Sequence, residues 1–260
     1  MMRTDHDEIQ SCRSRMEAWY ASDLGKVLLH SEVRALNACC DRMHGFQMVL
    51  MGVMGYWPGI AQCPIPNRFV VRTECGPLPA QGGVWGRADR LPIASDAVSA
   101  VVLNHALEVA HDPYGTLREV ERILVSDGFV VIVGFNPFSL WGVRGYLTRR
   151  FGAVPWRLPF YSAGKIGEWL KVLGFEFLAC RFAGPILPLN RVAHGSRLYE
   201  FDRGLRRLWG SGSGSYVVFA RKRRIPMIPV RPRWRPRRGL VPAPLVEPSA
   251  YEGLPITRDD

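Results

Sequence analysis

Residues 86–113 read GRADRLPIASDAVSAVVLNHALEVAHDP. A polar, turn-rich loop opens this stretch, and a run of β-branched and apolar residues at 97–103 follows, as in a strand buried on both faces of a sheet. Asp112 and Pro113 then have the residue types that favour a helix N-cap and the first helical position. A loop, a buried strand and a helix in this order predict one repeat of an open α/β sheet.

The flanking sequence continues the alternation of strands and helices. Short apolar runs predict six more strands, at 47–51, 68–73, 84–87, 129–133, 175–180 and 216–221. Helical spacing of apolar residues predicts helices at 17–43 and 163–173, and the helix that begins at Pro113 is expected to end at Asp127 and Gly128. Together these elements predict an α/β fold: a Rossmann-like, doubly wound and mostly parallel seven-stranded sheet with helices on both faces.

Length and composition set the expected domain organisation. With 260 residues, of which 47% are hydrophobic, the chain can bury one sizeable core. We expect an N-terminal helical extension at 1–45, a Rossmann-like domain at 46–222 with an insert at about 135–161, and a tail rich in proline and arginine at 223–260. The two most apolar stretches are too short and too broken to span a membrane. Acidic residues near the start argue against a signal peptide, so a cytoplasmic protein is expected.

Basic residues concentrate in the tail. The net charge is +11, and nine basic and no acidic residues fall between Arg221 and Val246. Arginine attracts phosphates and Trp234 offers a stacking surface, so RNA or another polyanion is one predicted partner; a solvated tail is the alternative. The six cysteines lack the spacing of a zinc site, which predicts reduced thiols and no bound metal.

Residues 86–113, followed by REVERILVSDG at 118–128, resemble the type 11 methyltransferase domain of the class I S-adenosylmethionine-dependent methyltransferases. The resemblance implies S-adenosylmethionine as the cofactor. It places Asp89 at the adenine, where the carboxylate would accept a hydrogen bond from the exocyclic amine. It also implies that Leu91 and Pro92 lie near the ring, that Arg90 beside them contributes to cofactor binding, and that Asn104, after the fourth strand, lines the pocket.

The loop after the first strand departs from the family pattern. Residues 48–56 read MVLMGVMGY, which keeps Gly52 but has Leu50 where the family usually has an acidic residue. Gly55 is one residue out of step with the usual G-x-G-x-G loop. Because the acidic residue is absent, the amino group of the cofactor would need another acceptor, such as a backbone carbonyl, or would bind weakly. Glu74, 22 residues beyond Gly52, is spaced to bind the ribose hydroxyls. A solvated loop glutamate is the equal alternative.

Methyl transfer from a sulfonium is an in-line displacement, so the positioning of donor and acceptor can supply much of the catalysis. His105 is the candidate general base at the cleft. In the insert, residues 140–147 predict a lid helix, and Trp141, Arg144 and Trp156 would give it an aromatic and basic rim for the acceptor. A lid that only covers apolar surface is the alternative.

The sequence leaves two functions open and argues against a third. The first is an S-adenosylmethionine-dependent methyltransferase with an unidentified acceptor. The second is a non-catalytic, methyltransferase-like scaffold or RNA-binding protein that uses the basic tail. The third, a nicotinamide dehydrogenase, would require G-x-G-x-x-G after the first strand, and Gly52 and Gly55 do not supply it.

Overall fold

Residues 14–53, 60–72, 83–148, 155–189 and 197–223 are described by the computed structural model. All of them belong to the first of the two units into which the chain divides, Met1–Arg224 and Ile225–Asp260. Seven strands form one sheet: β1 (Gln47–Gly52), β2 (Asn67–Arg72), β3 (Gly83–Trp85), β4 (Val98–Asn104), β5 (Leu124–Phe135), β6 (Phe175–Ala183) and β7 (Ser215–Lys222).

The strand order is β3-β2-β1-β4-β5-β7-β6. Strands β1 to β5 pair in parallel, and β7 runs antiparallel to its neighbours β5 and β6. The predicted seven-stranded, mostly parallel sheet is thereby confirmed. Besides a helical turn region at residues 14–20, six helices are described: α1 (Asp23–Cys40), α2 (Ala106–Val109), α3 (Pro113–Ile123), α4 (Leu140–Thr148), α5 (Ala163–Val172) and α6 (Arg197–Leu208).

Helices cover both faces of the sheet, because alternate residues of a strand point to opposite sides. Val49 and Leu103 lie in one buried cluster with apolar residues of α3 and α5. Leu50 and Val102 lie in another, which contains Leu36, Cys39 and Cys40 of α1 together with Val217 and Phe219 of β7. Helix α1 is therefore packed against the last strand of the chain. Within the described ranges, no helix is both long and apolar enough to cross a membrane.

Side-chain caps set the helix starts that the sequence predicted. The Gly115 N–H donates to Asp112 Oδ1 over 2.9 Å, and the Lys165 N–H donates to Ser162 Oγ over 3.1 Å. The long helix predicted at 17–43 is interrupted instead: residues 14–20 are helical, and α1 begins anew after Ser22, whose Oγ accepts from the Gly25 N–H over 3.2 Å. Competition from this local cap explains the break.

The predicted end of α3 is wrong. The helix ends at Ile123, four residues before Asp127, because Leu124 already pairs with Val98 of β4. Pairing resumes at Phe129 opposite Ala100, and the residues between form a bulge in which Asp127 has a left-handed φ of 64°. The Ser-Asp-Gly sequence is therefore a bulge within β5 and not a turn after the helix.

Helix α6 was not predicted, since charged residues dominate its sequence. It is held to the protein by Asp202, which is fully buried. One carboxylate oxygen of Asp202 accepts from the N–H groups of Ile186 and Leu187 over 2.8 and 2.9 Å, and the other lies 3.2 Å from Arg206 Nε. A buried carboxylate with these partners fastens the segment after β6 to the helix.

Candidate functional site

The carboxyl ends of β1, β4 and β5 meet at one edge of the sheet. Gly52, the last residue of β1, pairs with Asn104, the last residue of β4, and Asn104 pairs in turn with Val133 of β5. Strand order reverses between β1 and β4, and doubly wound sheets bind small molecules outside such a switch point. The structure thus brings two of the predicted site residues, Gly52 and Asn104, together where a ligand is expected.

Gly52 is required by close backbone packing at this edge. Its φ is +127°, and a Cβ atom built on it would lie 1.9 Å from the carbonyl oxygen of Asn104. The same carbonyl accepts a hydrogen bond from the Val53 N–H over 3.0 Å. Only glycine fits this geometry without displacing backbone, so the chain leaves β1 in contact with the end of β4.

Asn104 has a side-chain amide that is buried at this edge. The residue is 2% exposed, and neither Oδ1 nor Nδ2 has a partner within the described part of the chain. An unsatisfied buried polar group costs about 1–3 kcal/mol, so native proteins rarely retain one unless a ligand or water satisfies it. The amide is therefore a candidate contact for a polar group of a ligand.

Asp89 lies in the loop between β3 and β4, with about a third of its side chain exposed. Arg87 binds it through two hydrogen bonds of 2.9 Å, Nε to Oδ1 and Nη2 to Oδ2. These hydrogen bonds hold the pKa of the Asp89 carboxyl below its usual value, so the group is an anion. Each carboxylate oxygen keeps accepting capacity beyond the arginine. Arg90, whose N–H donates to the Arg87 carbonyl over 3.0 Å, is itself exposed.

Two residues of α3 hold the loop that contains Leu91. The Leu91 N–H donates to Glu119 Oε1 over 2.7 Å, and Leu91 is 5% exposed. Arg122 forms an ion pair with Glu119 at 2.7 Å and donates to Ser95 Oγ at 2.9 Å and to the Ile93 carbonyl at 2.8 Å. The sequence analysis did not identify Glu119 and Arg122 as positioning residues. Their spacing of three on a helix is the signal that could have indicated a pair.

His105 follows Asn104 and lies at the centre of a buried hydrogen-bond network. Its φ is 48°, an uncommon left-handed conformation for a residue other than glycine. Nδ1 lies 3.3 Å from Glu108 Oε1, and Nε2 lies 3.2 Å from Glu32 Oε1 of α1. The Tyr20 hydroxyl donates to Glu32 Oε2 over 3.2 Å, and the Phe135 N–H donates to Glu108 Oε1 over 2.9 Å.

The network keeps the imidazole of His105 protonated. Full burial alone would lower its pKa, but Glu32 and Glu108, on opposite sides of the ring, outweigh burial and raise the pKa to about 9. Burial, and then Glu32, raise the pKa of the Tyr20 hydroxyl well above its ordinary value. An imidazolium with both N–H groups bound to carboxylates has no free nitrogen to accept a proton. The role of His105 as a general base stays a prediction, and it would require the network to open.

The insert after β5 contains the predicted lid helix, now seen as α4. The predicted aromatic rim, however, is wrong, because Trp141 and Trp156 are buried. The Trp141 ring stacks on Phe135 with centroids 6.1 Å apart, and its Nε1 donates to the Pro185 carbonyl over 2.9 Å. The Arg144 guanidinium lies over the Trp156 ring, 4.4 Å from its centroid. These large apolar surfaces anchor the helix instead of facing an acceptor.

Several sequence predictions lie outside the described residues. They are Glu74 with its proposed ribose contact, Gly55 in the loop after β1, and the tail from residue 224 with its polyanion partner. Among the residues that can be described, no group of three His, Cys, Asp or Glu side chains could hold a metal ion.

Comparisons with known proteins agree with the fold described above. The family described as methyltransferase domain matches residues 75–132. The uncharacterized protein YafS of Escherichia coli strain K12 is 30% identical over 212 residues, which cover 81% of this chain and 82% of YafS.

Two solved structures share the fold at low sequence identity. A possible histamine N-methyltransferase of Thermotoga maritima, described as S-adenosylmethionine-dependent, matches with a TM-score of 0.58 and 15% identity over 80% of this chain and 94% of its own. An S-adenosylmethionine-dependent methyltransferase of Mesorhizobium loti matches with a TM-score of 0.51 and 15% identity over 72% of this chain and 96% of its own.

Proposed function

The chain belongs to the class I S-adenosylmethionine-dependent methyltransferases, and from this membership we propose that it binds S-adenosylmethionine at the carboxyl edge of β1 and β4 and transfers the methyl group to an acceptor. The observation that carries the proposal is the amide of Asn104, which is buried at the strand switch point and has no hydrogen-bond partner among the described residues. A bound cofactor would satisfy this amide, whereas a sheet edge without a ligand leaves it uncompensated.

The residues at this edge fit the polar groups of the cofactor. The Asp89 carboxylate accepts hydrogen bonds only, which suits the exocyclic amine of adenine, a donor only. The close approach of backbone at Gly52 leaves no side chain between β1 and a bound ligand. Arg122 and Glu119 would act indirectly, by holding the loop around Leu91 against α3.

Asn104 also offers an acceptor in place of the acidic residue that is missing near the end of β1. Leu50, at the position where the family usually has a carboxylate, is 3% exposed and packs in the cluster that includes α1. The amino group of the cofactor therefore needs a different acceptor. The unpartnered Oδ1 of Asn104 is the acceptor that we propose, since an amide oxygen can take up to two hydrogen bonds.

When bound, the cofactor supplies an electrophilic methyl group on a positively charged sulfur. The chain's own contribution is to hold the donor and to exclude water, and such positioning can lower the barrier by roughly 7–11 kcal/mol. The protonated His105 fixes the chain immediately after Asn104, because it binds α1 and α2 at once through Glu32 and Glu108. It is a positioning residue in this arrangement.

Calorimetric titration with S-adenosylmethionine and S-adenosylhomocysteine tests the proposal, with a nicotinamide dinucleotide as a control ligand. We expect a Kd between about 1 and 100 μM, or roughly −8.2 to −5.5 kcal/mol. Asn104→Leu should bind at least about tenfold more weakly, since it cannot hydrogen-bond the ligand. Asn67→Ala, an exposed asparagine at the amino end of β2, is the matched control and should bind as the wild type does.

The stability of Asn104→Leu without ligand gives a second test of the assigned contact. Leucine has nearly the shape of asparagine and leaves no unsatisfied amide, so free Asn104→Leu should be more stable by about 1–3 kcal/mol. Thermal unfolding would show this as a rise in Tm of about 2–4 °C per kcal/mol.

Wild-type protein that fails to bind at millimolar cofactor would refute the proposal and favour the non-catalytic scaffold. Equal affinity in Asn104→Leu would refute the assigned contact.

A further inference from the structure

Exposed apolar side chains are concentrated on α4 and at Phe138, two residues before the helix begins. Phe138, Val143, Tyr146 and Leu147 are 77%, 54%, 82% and 73% exposed. The opposite side of the helix is buried through Trp141. Single exposed apolar residues are common on protein surfaces, but several on one short helix indicate a surface that contacts something apolar.

A second group of exposed apolar residues belongs to the segment that leads into β7. Phe201, Leu208 and Trp209 are exposed on and just after α6. This segment is bonded to the start of the insert, because Asn136 Nδ2 donates to the carbonyls of Ser211 and Ser213 over 2.8 and 3.0 Å. Both groups therefore belong to the carboxyl edge of the parallel strands, the edge that holds Asn104.

The charge of the insert indicates what it contacts. No Asp or Glu occurs from residue 128 to residue 167, and the insert contains Arg144, Arg149, Arg150 and Arg157. Of these, Arg157 is exposed among the described residues. This excess of positive charge would repel a second copy of the insert, but it complements the negative charge of anionic lipid headgroups. A short helix with an exposed apolar face in such a basic segment is suited to lie in the plane of a membrane surface.

We propose that α4 docks on an anionic lipid bilayer, with Tyr146 and Leu147 inserted at the boundary between headgroups and acyl chains. Tyrosine is favoured there because its ring is apolar and its hydroxyl is polar. The Trp141 ring, on the buried side of α4, stacks on Phe135, whose ring centroid lies 4.2 Å from that of His105. The rings of Trp141 and Phe135 therefore connect the docked helix with His105, which follows Asn104 at the proposed cofactor edge. If that proposed function holds, the acceptor is an amphipathic molecule drawn from the bilayer.

Vesicle sedimentation of the full chain tests the docking surface. The probes are phosphatidylcholine vesicles with about a third phosphatidylglycerol and vesicles of phosphatidylcholine alone. Wild type should bind the anionic vesicles, and Tyr146→Gln/Leu147→Gln should bind them at least about tenfold more weakly. Phe46→Gln/Val172→Gln removes two apolar side chains that are 78% and 76% exposed near the amino ends of β1 and β6. This matched control should bind as the wild type does.

Each remaining outcome overturns the proposal. Wild-type protein that binds neither vesicle has no membrane surface of this kind, and equal binding to both vesicles removes the role of charge. Equal binding by wild type and Tyr146→Gln/Leu147→Gln would assign lipid binding to another basic segment. Calorimetry with S-adenosylmethionine on the same variants separates the two proposals, because the exposed faces of Tyr146 and Leu147 are not needed for cofactor binding.

Discussion

Replacing Glu32 with glutamine removes one of the two carboxylates that keep His105 protonated. The pKa of His105 is raised from 6.5 to about 9, because the attraction of Glu32 and Glu108 outweighs the opposing effect of burial. At about 1.4 kcal/mol for each unit of pKa, this difference corresponds to roughly 3 kcal/mol of folding free energy. Because one of the two carboxylates is removed, we expect Glu32→Gln to lower the free energy of unfolding by a large part of this amount, about 2 kcal/mol, near pH 6.

The pH dependence follows from the direction of the shift. The folded protein binds the His105 proton more tightly than the unfolded chain does, so its contribution to stability is complete below pH 6.5 and is lost as the pH rises through about 9. As the pH rises from 6.5 to about 9, the free energy of unfolding of the wild type should therefore fall more steeply than that of Glu32→Gln. The difference in stability between the two proteins should narrow above about pH 9.

Urea unfolding followed by far-ultraviolet circular dichroism at several pH values measures these stabilities. Glu168→Gln makes the same change in charge at an exposed position of α5, and it should leave the stability of the wild type unchanged at every pH. The reasoning would be refuted by the same pH dependence in wild type and Glu32→Gln. A wild type whose stability rises between pH 6.5 and 9 would refute it as well.

Two further predictions concern the geometry of the site. Gly52→Ala should lower stability by about 3 kcal/mol in urea unfolding, because its Cβ would meet the Asn104 carbonyl at 1.9 Å; Gly204→Ala, with no atom within 4 Å, should not destabilise the protein. Arg122→Met should weaken S-adenosylmethionine binding in calorimetry through the freed loop at Leu91, and unchanged affinity would show that the loop does not need this anchor.

Local sequence signals predicted the strands and several helix starts, because their causes are local. A strand buried on both faces must be apolar along its length, as 97–103 is, and a cap such as Asp112 acts within three residues. The end of α3 was missed for the opposite reason. Pairing of Leu124 with Val98 depends on a neighbouring strand, and it overrode the turn-forming residues near Asp127.

The buried network could be predicted only in part, since His105 and Glu32 are 73 residues apart. A signal was nevertheless present: Glu32 continues the series Leu24, Leu28 and Leu36 at intervals of four, and so falls on the apolar face of its helix. The buried Trp141 had no such signal. Tryptophan occurs both in protein cores and at solvent-exposed rims of sites. Trp141 is buried because its ring stacks on Phe135 and its Nε1 donates to the Pro185 carbonyl, and these contacts depend on the tertiary fold.

The packing of α1 against β7 has a consequence for synthesis on the ribosome. The apolar side of α1, around Leu36 and Cys40, finds its partners Val217 and Phe219 only after nearly the whole first unit has been translated. Until then that surface lacks part of its native cover, although Leu50 and Ile60 of the same cluster are already present, and contacts so distant in sequence form slowly. A chain cut short before β7 would retain every residue proposed to bind the cofactor and still present α1 as a target for chaperones and proteases.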